Sequence, residues 1–351
     1  MPARDLVIYG ATGYTGRMIV QRAKDRGLRP VVAGRNEETI RRMAAGDGLE
    51  WKIAEVSDPV SLKRLTAGAK VLINAAGPFG ATAGPLIEAC IATGTHYLDI
   101  TGDSATIEPI AQWHDKAVRG KVMLMPAAGF DVVASDCLLA HVARRLPGAV
   151  SLKLGFDKSE PTSTGSLKTI LEMSGQGVKV RRNGRLINVA PGTLVHDFDY
   201  GRGPQASFGV NLGDTSSAFF STGVGDIETY MRASVQVWSA ITANQYWGRL
   251  LATPLWQAAM KAQMKMFSRD PSPRQASSAW GILVGEARDA KGECVRSRLY
   301  TGDVYWFTAL SAVAVAEKCF AGDWKAGFQT PSRVYGPEFV LTMDGARRID
   351  F

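Results

Sequence analysis

Cysteine is scarce in this sequence. Its four residues, Cys90, Cys137, Cys294 and Cys319, lie far apart, and no two form a C-x-x-C pair. That spacing argues against a disulfide framework and against a thiolate zinc site, and it fits a reducing, cytoplasmic setting. No motif for a resident metal is found. Long apolar runs are also missing. The longest, VYWFTALSAVAVAEKCF at 304–320, is interrupted by Thr308, Ser311 and Glu317 and reads as a buried helix, so no integral membrane segment is expected. Near the start, Arg4 and Asp5 precede only a short apolar run, which is no signal peptide. The 41 Lys and Arg outnumber the 33 Asp and Glu, for a net charge of +8. They are scattered rather than blocked, so nucleic acid is not expected as a partner, although the excess favours anions. Several catalytic signatures are absent. There is no Walker loop, no H-E-x-x-H, no G-x-S-x-G elbow, and no Tyr followed four residues later by Lys.

What is present begins with LVIYGATGYTGRMIV at 6–20. A short apolar run meets Gly10, Gly13 and Gly16 and then turns helical. Gly10 suits a sharp turn at the end of a strand. Gly13 lets backbone approach a pyrophosphate, and Gly16 lets a helix pack closely on the strand. Thr12, Tyr14 and Thr15 complete the loop. Phosphates would sit on the free amides at the helix start, where the helix dipole favours negative charge. Glycines collect in loops, so the context decides: this triplet stands after a strand and before a helix, as a dinucleotide site requires.

The pattern continues through residue 135. Strand-like runs LVIYG, RPVVAGR, EWKIAEV, KVLINAAG, HYLDI and KVMLMPAAG alternate with helical patterns near 14–26, 36–45, 58–66, 82–93 and 105–118. Nearly continuous apolar strands separated by helices predict a parallel sheet covered on both faces, a Rossmann-type doubly wound α/β fold. At the end of the second strand an NAD site usually carries an acid for the ribose 2′-hydroxyl. Here Gly34 and Arg35 stand instead, with Asn36 and Arg41 nearby. Arg35 offers a planar cation to a 2′-phosphate, which points to NADP(H). The plainer reading makes Arg35 a solvated loop residue and Asn36 a helix N-cap, and the cap fits both. Asp58 before Pro59 reads as another N-cap that can also approach the adenine. Asn74, Ala75, Ala76, Gly77 and Pro78 end the fourth strand with small residues that leave room for a cofactor, or simply turn the chain.

Reduction also needs a proton. Tyr97 and Asp99 are two apart on a strand and share a face. Asp131 follows the sixth strand, near the expected nicotinamide. All three are candidate catalytic residues. A buried carboxyl there can have a raised pKa and donate a proton. The commoner role for Asp131 is capping a helix that starts near Ser135, a role open to Ser135 or Asp136 as well. The histidines at 96, 114, 141 and 196 have no ligand spacing and read as surface or core residues.

From Val150 the pattern changes. VSLKLGF reads as a strand, TGSLKTILEMS as a helix, and VKVRRNGRLINV as a hairpin turning at Asn183-Gly184. Arg181, Arg182 and Arg185 look solvated on it. A glycine-rich stretch follows, then a helical stretch at 237–267. Its part near 249–267, rich in tryptophan and methionine, fits a core or subunit contact, or an apolar tunnel or lipid surface. After a break at RDPSPRQASS, SAWGILVGEARD and ECVRSRLYTGD look like the last two strands. This predicts a second α+β domain, an antiparallel sheet with helices on one face, suited to substrate binding and homodimer formation.

VIYGATGYTGR, VVAGRN, VLINAAGPFG, CIATGTHYLDITGD and AAGFDVVASD together resemble the saccharopine dehydrogenase-like oxidoreductases, nearest their trans-acting enoyl reductase group. TGDVYWFTALSAVAVAEKCFAGDWKAGFQTPS is similar to that family's closing helix and loop. Two departures stand out: Asp103 where the family often has glutamate, and Val132, Val133 and Ala134 where many members read S-V-P. The resemblance implies an NADP-binding domain at 1–135 completed by 304–332, and a substrate or dimerisation domain at 136–303. It also implies a cleft between them and a last helix, roughly 304–320, that returns to the first domain; if that helix packs there, the crossings near 132–138 and 298–304 lie close together and can hinge over a small-molecule substrate. The expected function is NADPH-dependent reduction of a C=C bond conjugated to a carbonyl, on an apolar, lipid-like or carrier-bound acyl group. Two alternatives stay open: an opine-type imine reductase acting on amino acids, and a non-catalytic NADP(H)-binding scaffold or sensor.

Overall fold

The computed structural model describes residues 5–159, 177–190, 192–232, 253 and 280–351. The helix expected from Thr164, the break at 269–278 and, apart from Thr253, the long helical stretch at 237–267 lie outside the described residues. The chain divides into two compact units. Unit 1 holds Met1–Val133 and Tyr305–Phe339, and unit 2 holds Ala134–Val304 and Val340–Phe351.

Unit 1 alternates strand and helix: β1 (Leu6–Tyr9), α1 (Tyr14–Asp25), β2 (Val31–Gly34), α2 (Glu37–Asp47), β3 (Trp51–Ile53), α3 (Pro59–Thr66), β4 (Val71–Asn74), α4 (Phe79–Thr93) and β5 (His96–Asp99). Then come α5 (Ser104–Ala111), α6 (His114–Arg119), β6 (Met123–Met125) and the start of α7 (Phe130–Arg145). The single helix expected near 105–118 is two, separated at Gln112–Trp113, with Pro109 inside α5. Proline lacks the N–H for the helix ladder, which weakens a longer helix there.

The strands β1, β2, β4 and β5 are buried along their whole length. A strand buried on both faces is expected to be apolar; β1 and β2 are, whereas β4 and β5 also bury Asn74, His96, Tyr97 and Asp99, each of them hydrogen-bonded. The helices answer with amphipathic faces, such as Ile19, Val20 and Ala23 on α1 and Leu62 and Leu65 on α3. Each such leucine or isoleucine contributes about 1.5–3 kcal/mol on burial. All neighbours in the sheet are parallel. The order is β3-β2-β1-β4-β5-β6, ending in a short strand from the late part of the chain. Strand order reverses between β1 and β4, so a crevice opens at their carboxyl ends, the usual ligand position in such sheets.

In unit 2, β7 (Ala149–Ser159), β8 (Val178–Arg182), β9 (Arg185–Val189), β10 (Val195–Asp199), β11 (Pro204–Gly209), α8 (Asp214–Thr222) and β12 (Asp226–Arg232) are followed by β13 (Trp280–Asp289) and β14 (Cys294–Thr301). The chain then gives unit 1 the helix α9 (Val304–Phe320) and β15 (Gly327–Phe328), and β16 (Arg347–Asp350) returns to pair with β14. The sheet is mixed rather than antiparallel, because β12 lies parallel to β7. Two strands, β15 and β16, come after the pair expected to be last.

Asn183 (φ 47°) and Gly184 (φ 75°) make the tight β8–β9 turn their sequence announces. The arginines beside it are not solvated as expected. Arg181 is buried, donates to the carbonyls of Thr215 (2.6 Å) and Gly184 (2.8 Å), and lies 4.1 Å from the Phe219 ring centre. Arg182 pairs with Glu228. Packing of α8 against the hairpin covers them, and only Arg185 stays exposed. Arg181→Ala strands two carbonyls and should lower unfolding stability by roughly 2–4 kcal/mol in urea titration, while Arg185→Ala changes it by less than about 0.5 kcal/mol. Equal effects of the two substitutions would contradict this placement.

Candidate functional site: the carboxyl edge of the parallel sheet

The three glycines of the first turn play different parts. Gly10 has φ 81°, and a Cβ on it would stand 2.6 Å from the Ala76 amide nitrogen. The exit of β4 therefore lies directly on this turn. A Cβ on Gly16 would come within 2.2 Å of the Gly10 carbonyl oxygen, so α1 begins too close to the turn for any side chain. Gly13 is less crowded than either, although among the described residues a Cβ there would still stand 3.3 Å from the Gly10 carbonyl oxygen.

The helix that starts here differs from α2, α3 and α5, although α4, with Pro78 at its cap position, also lacks a side-chain cap and a first-turn acid. Asn36 caps α2 by accepting from the Thr39 amide (3.0 Å), and Glu37 and Glu38 occupy its first turn. Asp58 caps α3 through the Val60 amide, and Asp103 caps α5 through the Ala105 amide. On α1 the cap position is Gly13, with no side-chain cap and no acid in the first turn. Its end of the helix dipole is left for an anion from outside, so the residues present fit a pyrophosphate.

At the end of β2, Gly34 is buried because Ile40 of α2 packs on it: a Cβ would lie 3.2 Å from the Ile40 Cδ1. Arg35 follows, exposed. Its charge is felt by the Tyr9 hydroxyl, which donates to the Ala54 carbonyl (3.1 Å). Burial raises the Tyr9 pKa, Arg35 lowers it, and Glu55 raises it. Arg35 has no carboxylate partner among the described residues, so its guanidinium is available to a 2′-phosphate.

The ends of β4, β5 and β6 are tied by one buried chain of hydrogen bonds. Asn74 Oδ1 accepts from the Ala76 amide (3.0 Å), and its Nδ2 donates to Thr82 Oγ1 (3.0 Å) and to the Tyr97 hydroxyl (3.2 Å). Tyr97 donates to Asp99 Oδ2 (2.8 Å). Asp99 Oδ1 accepts from the amides of Thr101 (2.9 Å) and Ala127 (2.8 Å). Asn74, Tyr97 and Asp99 are each fully buried. Their sequence spacing placed Tyr97 and Asp99 on one face, and the structure turns that face inward. Burial pushes the Asp99 carboxyl up to about 6, against the two amides and the Tyr97 hydroxyl, which pull it down. This pair is thus walled off from any substrate and holds the strand ends in place. The groups it leaves at the rim are Ala75 and Ala76, half-buried, and Gly77 and Pro78, exposed.

Asp131 does not cap a helix beginning near Ser135. The helix begins at Phe130, and Asp131 lies in its first turn. Ser135 and Asp136, mid-helix, reach α8 instead, where Ser135 donates to Asp214 and Ser221 donates to Asp136. The Asp131 carboxyl rests on Gly102, where a Cβ would come within 2.7 Å of its Oδ2. Sequence reading missed the partners of this turn on α9. Thr308 Oγ1 accepts from the Phe130 amide (3.1 Å), and Ser311 Oγ donates to the Ala128 carbonyl (2.8 Å). Both had registered only as interruptions of an apolar run; their three-residue spacing on one helix face was the available signal.

The histidines all bond protein groups. His96 Nδ1 accepts from the Met123 amide and His114 Nδ1 from the Phe328 amide, while His141 meets Asp350 and His196 meets Glu286. No cluster of metal-binding side chains occurs among the described residues, and no helix there is long and apolar enough to cross a membrane.

Residues 6–125 match the family described as the saccharopine dehydrogenase NADP binding domain. The chain is 33% identical over 149 residues to the trans-acting enoyl reductase of Mycobacterium tuberculosis, covering 40% of this chain and 36% of that protein. It is 29% identical over 228 residues to the one from Mycobacterium ulcerans, covering 60% and 54%. A probable mitochondrial saccharopine dehydrogenase-like oxidoreductase of Arabidopsis thaliana is 31% identical over 166 residues, covering 41% and 36%. The matched region thus spans about a third to a half of these relatives. Among solved structures, apo saccharopine dehydrogenase (L-Glu forming) from Saccharomyces cerevisiae shares the fold, with a TM-score of 0.67 at 12% identity over 99% of this chain and 100% of that one.

Two buried groups in unit 1 set opposing pH dependences. Asp99, at about 6 in the folded chain against 3.8 when free, is held protonated more tightly by the fold, so its contribution to stability falls as pH rises from about 4 to about 6. His96 is lowered by burial to about 4 from 6.5, so its contribution is lost as pH falls through the same window. Asp99→Asn removes the first effect and leaves the second. The stability of the variant relative to wild type should therefore rise from pH 4 to pH 6, by on the order of 3 kcal/mol in chemical denaturation. A difference that stays constant with pH would refute the assignment.

Proposed function

Starting from residues 6–125 as a saccharopine dehydrogenase NADP-binding domain, we propose that this chain is an NADPH-dependent oxidoreductase. It reduces a C=C bond conjugated to a carbonyl on an apolar acyl or polyketide-like substrate. One observation carries the reading. At a single edge of the sheet, an uncapped, acid-free helix start adjoins a rim of small uncharged residues, Ala75 to Pro78. The names of the mycobacterial relatives support it.

The amides of Gly13 to Gly16 and the Arg35 guanidinium would hold the pyrophosphate and the 2′-phosphate. A nicotinamide held there would supply the hydride for reducing the C=C bond. The rim of small, uncharged residues would admit an apolar chain. Asp131, half-buried beside Gly102, is the residue we assign to deliver the proton to the α-carbon. Asn74, Tyr97 and Asp99 position the rim. A dicarboxylic amino acid would need cations at this rim, since buried charges require partners. No Lys or Arg stands at 75–79 or 126–131, and Arg181 and Arg182 are engaged inside unit 2.

The test is NADPH oxidation with 2-enoyl thioesters of increasing chain length, set against pairs of 2-oxo acids and amino acids. Turnover with the thioesters alone is expected. Turnover with the amino-acid pairs alone would replace this reading with an opine-type one, and none with either would favour a non-catalytic binder.

Arg35 is expected to choose the cofactor. A charge-assisted contact is worth roughly 1.5–3 kcal/mol. Arg35→Ala should therefore weaken NADPH by about ten- to a hundredfold in fluorescence titration, and NADH by less than about twofold. Equal losses for the two cofactors would place the 2′-phosphate elsewhere.

A further inference from the structure

We propose that Thr308, on a helix nearly three hundred residues beyond the glycine loop, is a positioning residue for the proton-delivering turn; this rests on the role assigned above to Asp131. The segment 127–131 makes a demanding path. Ala127 has φ 58°, a left-handed conformation that a residue with a Cβ rarely adopts unless held. Asp99 holds it from one side, taking the Ala127 amide on Oδ1 and the Ala128 amide on its backbone carbonyl (2.7 Å).

The helix α9 holds it from the other side. Ser311 ties down the Ala128 carbonyl. Thr308 then does two things at once. Its hydroxyl accepts from the amide of Phe130, the first residue of α7, standing in for an N-cap supplied by a distant element. Its methyl fills the place where a Cβ on Gly129 would be, at 2.9 Å. Phe307, next to it, meets the Phe130 ring edge to face, with centres 5.7 Å apart. The direction of the first turn of α7, and with it the position of Asp131 on Gly102, is thereby set from α9. The same helix reaches the other end of the cradle. Tyr305 packs edge-on against Tyr14, the first residue of α1, with ring centres 5.0 Å apart.

The test compares Thr308→Val, which keeps the shape and removes the hydroxyl, with Thr308→Ser, which keeps the hydroxyl. In the isolated protein without cofactor, Thr308→Val should speed hydrogen exchange of the Phe130 amide at least tenfold, and Thr308→Ser should not. NADPH affinity should stay within about threefold in both. With an accepted enoyl thioester, Thr308→Val should lower kcat by about ten- to a hundredfold with KM little changed. Thr308→Ser should recover most of kcat. Unchanged exchange at Phe130, unchanged kcat, or equal losses in the valine and serine variants would each overturn the proposal. Full turnover by Asp131→Asn, with Phe130 exchange still altered by Thr308→Val, would instead overturn the catalytic reading of Asp131 and with it the reason for positioning it.

Discussion

One buried carboxylate organises the working edge of unit 1. Asp99 ends β5 at full burial, and its side chain and carbonyl receive the Tyr97 hydroxyl and three backbone amides from two different loops. Burying a carboxyl is costly, and burial pushes its pKa up to about 6. The expense is offset by donors that would otherwise be buried without partners. Those donors belong to the loops that follow β5 and β6, so the group that tolerates burial also fixes where these loops run.

The constraint spreads through Tyr97 to Asn74, and through Asn74 to the loop after β4. That loop presses on Gly10, and the Gly10 carbonyl in turn presses on Gly16 at the start of α1. The glycine turn, the small-residue rim and the turn carrying Asp131 are thus held in one relation by contacts that are all internal. A site of this kind is formed before any ligand arrives. The binding energy of a dinucleotide then need not be spent on ordering loops.

Much of this was legible in the sequence where one residue answers to one backbone demand. Gly10 and Gly16 announced a turn and a close packing, and both meet that demand. Asn36, Asp58 and the Asn183-Gly184 turn are local signals, and their bonds are local. The reading went astray where the partner was distant. Arg181 looked solvated because nothing nearby in sequence shows that Phe219 and the Thr215 carbonyl will cover it. Asp131 looked like a cap because the true start of α7 is held by Thr308, from the far end of the chain. The parallel pairing of β12 with β7 and the return of β16 to β14 depend on register between strands far apart, which alternation within a strand does not encode. Asp99 showed its strand face but not its depth, and depth decides between an open acid and a buried tie.

The central claim is that NADPH lies along this preformed edge, and amide hydrogen exchange with and without NADPH tests it most directly. The account predicts slowed exchange on binding in 12–17, 34–36 and 75–79. It also predicts that the amides of Thr101 and Ala127 are already protected without cofactor and change little. Protection confined to unit 2, or an Ala127 amide that becomes protected only when NADPH binds, would contradict it.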